Sequence, residues 1–252
     1  MVIALLTDFG DYYPGVMKGV IRKITQDEVI DLTHSIHPQN VFEGAFLLHS
    51  AYRYFPAGTI FISVVDPGVG GDRAAIVIKT ENYWFVCPDN GIAFPSAVED
   101  GIRKILRIKE SVSQFSGAFS STFHGRDIFA PAGALIREGR MEHFERFKGE
   151  PVKLDLFDAR VEGGRIVGRV VHIDRFGNAV TNITRNQIEE YSVTGFMYRG
   201  HEIPLVEKYE DVERGKPLAI IGSFNTLELS LREDNFSRHF NVDFGNIELG
   251  WI

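Results

Sequence analysis

Apolar positions in the first half of the chain fall into short runs that end in polar loops and give way to helical spacings. Val2 to Leu6 is unbroken apolar sequence that stops at Thr7-Asp8-Phe9-Gly10-Asp11, the pattern of a buried strand followed by a polar loop. From Pro14 to Ile24, the side chains of Val16, Met17, Val20, Ile21 and Ile24 share one helical face, with Pro14 suited to a first turn. The alternation repeats, with Val29 to Leu32 as a strand, Val41 to Phe55 as a helix and Thr59 to Val65 as a strand. Ala75 to Lys79 and Tyr83 to Cys87 flank Thr80-Glu81-Asn82 and predict a hairpin on the same sheet, and Arg126 to Arg137 predicts a further helix. Strands alternating with helices imply an α/β domain with a central, largely parallel sheet.

Beyond Glu138-Gly139-Arg140 the period shortens. Arg165 to Ile173, Ala179 to Ile183, Gly195 to Arg199, Pro217 to Ile221 and Thr226 to Leu231 are short alternating runs separated by Gly and Asn turns, and only Arg185 to Tyr191 reads as helical. This predicts a smaller, all-β, barrel-like C-terminal domain. The polar, breaker-rich link Lys148-Gly149-Glu150-Pro151 sets the expected division, residues 1–150 for the α/β domain and 151–252 for the β domain.

Composition narrows the class. With 252 residues, 24% charged and 44% apolar, the chain is globular and long enough to bury its cores without staples. A single cysteine, Cys87, excludes an intrachain disulfide and a Cys-based metal centre. The formal net charge of −7 argues against a general nucleic-acid binder. No apolar run approaches the ~20 residues of a membrane span, and no basic start precedes a long apolar stretch, so a soluble, cytoplasmic protein with no membrane partner is expected. Glycine is in surplus, 25 residues of 252 against a usual ~7%, and many of these glycines stand beside Asp, Asn or Pro.

Four polar clusters stand where strands end, which is where open α/β sheets place ligands. In Thr7-Asp8-Phe9-Gly10-Asp11, the Asp8 carboxylate is suited to a ribose diol, to a metal ion, or to capping its own turn. Asp66-Pro67-Gly68-Val69-Gly70-Gly71-Asp72-Arg73 lets backbone approach a ligand closely, and a loop of that length brings Asp66 and Arg73 to one point, whether as site or as ordinary ion pair. His124, in Phe123-His124-Gly125-Arg126-Asp127, is the side chain best poised for proton traffic near neutral pH, or a structural residue beginning a helix. Asp174-Arg175-Phe176-Gly177-Asn178 and Gly222-Ser223-Phe224-Asn225 form the fourth cluster, each readable alone as a hairpin turn. Together the clusters suggest a ligand held between the two domains.

In combination these motifs resemble the SAM hydroxide adenosyltransferase family, S-adenosyl-L-methionine hydrolases that form adenosine and are relatives of the SAM-dependent fluorinase and chlorinase. The resemblance runs through Thr7-Asp8-Phe9-Gly10, Gly15-Val16-Met17-Lys18-Gly19, Val65-Asp66-Pro67-Gly68-Val69-Gly70, Pro88-Asp89-Asn90-Gly91, Phe123-His124-Gly125-Arg126-Asp127, Asp174-Arg175-Phe176-Gly177-Asn178 and Ser223-Phe224. It implies a homotrimer with sites between the N-terminal domain of one chain and the C-terminal domain of its neighbour. It further implies that Asp66, Arg73 and His124 engage a nucleophilic water, that Asp8 holds the ribose hydroxyls and Asn178 the adenine edge, and that Asp174 and Ser223 hold the amino and carboxylate ends of the methionine portion. Tyr209 is assigned as the stacking partner of adenine and Glu228 as a further ligand contact, both by their spacing from Ser223. The sequence departs from the halogenases at Asp66-Pro67-Gly68-Val69 and at Gly125, where they carry a hydroxyl-bearing halide pocket, and this favours water. It also reads Phe224-Asn225-Thr226 where a glycine is expected after the Phe.

The implied reaction is attack of water on the ribose 5′-carbon, expelling neutral methionine from a sulfonium without a general acid, a metal or another cofactor. Two alternatives stand beside it. One is a metal-dependent nucleoside hydrolase, whose aspartate loop Thr7-Asp8-Phe9-Gly10-Asp11 also resembles and for which Asp66, Asp89 and His124 would be ligands, although Tyr12-Tyr13 occupies the place of a paired carboxylate. The other is a non-catalytic SAM- or adenosine-binding protein.

Overall fold

A computed structural model describes residues 2–117 and 119–252, which divide into two units, Met1–Leu154 and Asp155–Ile252. In the first, β1 (Val2–Thr7) leads through α1 (Tyr13–Ile24) to β2 (Glu28–Thr33), and α2 (Val41–Ala51) leads to β3 (Ile60–Val64). The expected hairpin is β4 (Ala75–Thr80) with β5 (Trp84–Pro88), followed by α3 (Phe94–Glu99), β6 (Ile102–Ile108), α4 (Ala130–Arg137) and β7 (Phe144–Arg146).

The period-2 geometry of β1 explains why this unit has three layers. Ile3 and Leu5 face a core shared with Met17, Ile21, Phe129 and Leu135 of the α1 and α4 side, whereas Ala4 and Leu6 face a core shared with Ala45, Leu48 and Phe61. Burial of each such Leu or Ile side chain contributes about 1.5–3 kcal/mol. Pro14 stands in the first turn of α1, Arg22 and Lys23 lie in its last turn, and Met17, Val20 and Ile21 form its buried face. The helix foreseen from Val41 to Phe55 leaves α-geometry at Tyr52, where a 3₁₀ turn, Tyr52–Tyr54, completes it.

The sheet order is β2-β1-β3-β5-β4-β6-β7. The pairs β1/β2, β1/β3 and β3/β5 are parallel, but β4/β5, β4/β6 and β6/β7 are antiparallel. The central sheet is therefore mixed, not largely parallel. The cause is local: the three-residue turn between β4 and β5 permits only antiparallel pairing, and β6 and β7 then extend the free edge of β4 in the same manner. Residues up to Leu154 stay with this unit, as Val152 N–H donates to Asp89 Oδ1 at 2.9 Å.

The second unit contains β8 (Arg160–Glu162), β9 (Arg165–Ile173), β10 (Ala179–Thr184), α5 (Arg185–Glu190), β11 (Gly195–Tyr198), β12 (His201–Pro204), β13 (Pro217–Ile221), β14 (Thr226–Leu231), α6 (Phe236–Phe240) and β15 (Gly245–Trp251). Its antiparallel sheet runs β12-β11-β15-β9-β10-β14-β13, and a bridge between Leu205 and Ala219 brings the two ends together, so the sheet is nearly closed. Ile166, Phe196, Leu227, Leu229, Phe236 and Leu249 fill its core. A capping box from Thr184 to Gln187 starts α5. The apolar spacing predicts only this one helix in the unit, whereas among the described residues the structure holds two α-helices. The second, α6, is capped by Asn235, whose side chain accepts from Arg238 N–H, and ends at Asn241 with φ +48°.

Candidate active site

Strand register assembles the first cluster. Thr7 of β1 is paired with Val64 of β3, so Asp8 and Asp66 leave the sheet on one rim. Because β4 runs opposite to β5, its first residue, Ala75, pairs with Pro88 at the carboxyl end of β5, which returns Arg73 to that same rim. The antiparallel strand thus allows the 65–74 loop to carry both side chains. Both feet of this loop are tied to the turn after β5: Asn90 Nδ2 donates to Val65 O at 2.8 Å, and Asp89 N–H donates to Ala74 O at 2.9 Å. Between them Gly70 adopts φ +78°, and a Cβ there would lie 2.5 Å from the Ser121 carbonyl oxygen.

Arg73 Nε lies 3.0 Å from each oxygen of Asp66, and Nη2 also donates to Asp66 Oδ2. The two side chains are 13% and 4% exposed, which makes this a buried, charge-assisted, side-on pair. The same Nη2 is 2.8 Å from His124 Nδ1. A guanidinium has no lone pair to offer, so Nδ1 is the acceptor and the imidazole proton sits on Nε2. Burial and then the Arg73 charge hold the His124 pKa below its ordinary 6.5. His124 stands just before a π-helical turn, Gly125–Phe129, that leads into α4. Gly125 is required by packing, since a Cβ would lie 2.7 Å from the Phe9 ring and 3.1 Å from Phe123.

Asp8 Oδ2 accepts from the Gln39 N–H at 2.8 Å. Burial pushes the Asp8 carboxyl up from its ordinary 3.8, the Gln39 bond opposes this, and the Asp66 charge adds to the rise. Asp8, Asp66 and His124 line one cavity of about 340 Å³ together with Phe9, Tyr13 and Gln39, while Arg73 holds Asp66 and His124 from behind. Gln39 and Tyr13 carried no motif; Gln39's φ of +66° and its place beside Asp8 emerge only from the fold.

In the second unit, Asp174, Asn178 and Tyr209 line a cavity of about 720 Å³ with Phe176, Arg232 and Asn235. Asp174 Oδ1 accepts from the backbone N–H groups of Phe176 and Asn178, and Oδ2 from Asn178 Nδ2, all at 2.9 Å. This Asx turn leaves Phe176 77% exposed at the cavity, an aromatic that the sequence motif contained without a role for it. Tyr209 OH donates to Glu228 Oε1 at 2.5 Å, and burial, then Glu228, push the tyrosine pKa up. Glu228 is not among the residues lining this cavity, and neither is Ser223, which lies exposed in the turn between β13 and β14.

Among the described residues, no group of three or more His, Cys, Asp or Glu side chains is arranged to hold a metal ion, and no helix is long and apolar enough to cross a membrane.

Comparison with known proteins adds the following. The family model of the SAM hydroxide adenosyltransferase N-terminal domain matches residues 3–146, and that of the C-terminal domain matches residues 168–247. The (R)-S-adenosyl-L-methionine hydrolase of Methanocaldococcus jannaschii is 36% identical over 262 residues, covering 96% of this chain and 93% of its own. The protein of the same name from Thermus thermophilus is 31% identical, with 91% of each chain covered. The crystal structure of an uncharacterized conserved protein from Thermotoga maritima superposes with a TM-score of 0.87 at 34% identity, covering 98% of this chain and 99% of that one.

Proposed function

This chain belongs to the SAM hydroxide adenosyltransferase family, and from that premise we propose that it hydrolyses S-adenosyl-L-methionine to adenosine and L-methionine. Relatives that share 31–36% of its sequence bear the name (R)-S-adenosyl-L-methionine hydrolase. The observation that carries the mechanism is the buried Asp66–Arg73–His124 set facing a cavity that also holds Asp8.

In the proposed step the water oxygen bonds to the ribose 5′-carbon as the carbon–sulfur bond breaks in line. The bonding pair goes to sulfur, which leaves as a neutral thioether and needs no proton. Asp66 takes the water proton. With Nδ1 engaged by Arg73, His124 offers Nε2–H to the water oxygen, which orients it and favours hydroxide character. Alignment of this kind supplies about 7–11 kcal/mol, more than the ~100- to 10,000-fold expected from a general base alone. A carboxylate near the sulfonium contributes on the order of 4 kcal/mol at ~4 Å and an effective dielectric of ~20, and we assign that to binding.

Asp8 is our assignment for the ribose hydroxyls. Asn178 Oδ1 is assigned to the adenine edge, Tyr209 to stacking on adenine with Glu228 holding its hydroxyl, and Asp174 and Ser223 to the methionine end. Phe176 joins Tyr209 as a stacking surface because it is exposed in the same cavity. A homotrimer that brings the Asp66 cavity of one chain to the Asn178 cavity of a neighbour, a cytoplasmic setting and metal independence belong to the same proposal.

The direct test is incubation with S-adenosylmethionine in oxygen-18 water. Adenosine carrying the label in its 5′-hydroxyl is expected; no adenosine, or adenosine without label, overturns the reading.

A further inference from the structure

The loop that carries Asp8 is bound on its inner side by a polar relay that the proposed reaction does not use. Thr7, fully buried at the end of β1, places Oγ1 2.9 Å from His34 Nδ1, and the same oxygen accepts from the Phe9 N–H at 3.2 Å. On the other side of the ring, His34 Nε2 lies 3.0 Å from Asp31 Oδ1, while Asp31 Oδ2 accepts from Lys18 Nζ at 2.5 Å. The His34 carbonyl also accepts from the Gly10 N–H at 3.0 Å. His34 therefore grips the chain on both sides of Asp8, and Gln39, five residues further on, caps Asp8 itself.

Donor accounting gives the relay one direction. The buried Thr7 hydroxyl proton has His34 Nδ1 as its acceptor at 2.9 Å, which leaves the ring proton on Nε2, 3.0 Å from Asp31 Oδ1 as a charge contact without hydrogen-bond geometry; the Thr7 oxygen then accepts from Phe9. Burial alone would raise the Asp31 carboxyl, but its Lys18 bond and the nearby His34 ring outweigh burial and hold it below its ordinary range. The arrangement has the parts of a carboxylate–imidazole–hydroxyl set, yet Thr7 has no exposed surface and cannot touch a substrate. What the relay delivers is the position of the loop.

We propose that Thr7 and His34 are positioning residues for Asp8. The Asp31–His34–Thr7 relay fixes residues 7–10 so that the Asp8 carboxylate, tied at Oδ2 to Gln39, meets the ribose hydroxyls in one geometry. The inference rests on the assignment of Asp8 to the ribose.

The test is calorimetric binding of adenosine and of 2′,3′-dideoxyadenosine to the wild type and to Thr7→Val, Thr7→Ser, His34→Gln and His34→Asn. Valine keeps the shape of threonine without its hydroxyl. Asparagine sets a polar atom near the place of Nδ1, and glutamine near that of Nε2. The wild type is expected to prefer adenosine. Thr7→Val and His34→Gln are expected to weaken adenosine binding about tenfold and dideoxyadenosine binding less than about twofold, as for loss of one hydrogen bond to a charged group. Thr7→Ser and His34→Asn are expected to recover most of the loss. If the wild type binds both ligands equally, the ribose assignment falls and the inference with it. A wild-type preference that survives in every variant, or an equal loss for both ligands, overturns the inference alone. Should Thr7→Val fail to fold, the His34 pair, at a side chain that is 11% exposed, decides the question.

Discussion

Arg73 binds Asp66 and His124 with one guanidinium, Nε at 3.0 Å from both Asp66 oxygens and Nη2 at 2.8 Å from His124 Nδ1. The planar fork is what makes this possible, since a lysine ammonium is a point charge that cannot hold the two partners in one plane. Arg73→Lys is therefore expected to lower kcat about 100- to 1,000-fold with a smaller change in KM. Steady-state kinetics with S-adenosylmethionine check this, and a kcat within about twofold of wild type would show that the alignment is not used.

The His124 contact also fixes a pH dependence. Its pKa is lowered in the folded protein, so the neutral imidazole is the form the proposed step uses, and activity is expected to hold from about pH 6.5 upward. Below that, an unfolded chain takes up the proton before the folded one does, so stability declines as pH falls from about 6.5 towards the lower folded value. The acid limb of kcat/KM is expected below the ordinary histidine range and to disappear from the residual activity of His124→Gln. Asp8 is raised from its ordinary 3.8 and titrates towards the same limb from below, which Asp8→Asn separates.

Gly70→Ala tests the loop. The substitution meets a φ of +78° and a backbone oxygen at 2.5 Å, neither of which a side-chain rotation relieves. A loss of about 1–3 kcal/mol in unfolding free energy is expected, with kcat falling alongside because Asp66 and Arg73 lie on the same loop. Denaturant unfolding and kinetics on one preparation measure both.

Subunit complementation tests the proposed trimer. Asp66→Asn and Asn178→Ala chains are each expected to be nearly inactive. Unfolded together and refolded in equal amounts, they are expected to regain about a quarter of wild-type activity, because a cyclic trimer with shared sites rebuilds one intact combination in four. No recovery, with trimers verified by light scattering, would place both residues in one chain's site.

Chelation addresses the metal. Activity after dialysis against EDTA is expected to equal that of the untreated protein. A loss that a divalent ion reverses would favour the nucleoside-hydrolase alternative.

The parts of this molecule that were legible in the sequence are those with local causes. The apolar run before Asp8, the helical face of Met17, Val20 and Ile21, and the turn at Thr80-Glu81-Asn82 each depend on neighbours in the chain. The antiparallel half of the first sheet was not legible, because β6 reads Ile102-Arg103-Lys104-Ile105 without clean alternation and joins β4 only through tertiary pairing. Likewise β15 pairs with β9, some 80 residues earlier, and neither strand announces the other. At the site, the sequence placed Asp66 and Arg73 within reach of one another. His124, 51 residues away, was grouped with them only by the family resemblance, and neither its direct contact with Arg73 nor the bonds that Asp174 and Asn178 spend on each other in a turn could be read from spacing.

The turn at Asp89 and Asn90 fastens both feet of the loop that carries Asp66 and Arg73. Those feet are continuous with β3 and β4, whose side chains are core residues of the unit. The loop proposed to cradle the nucleophile is thus a part of the sheet's own hydrogen-bonded frame and is expected to share its lifetime. Amide exchange at Asp89, whose N–H makes the tie to Ala74, should follow the slow amides of β3 and β5, and heat should silence the enzyme in the same transition that melts the sheet, with no cooler interval in which the fold survives and the loop is free.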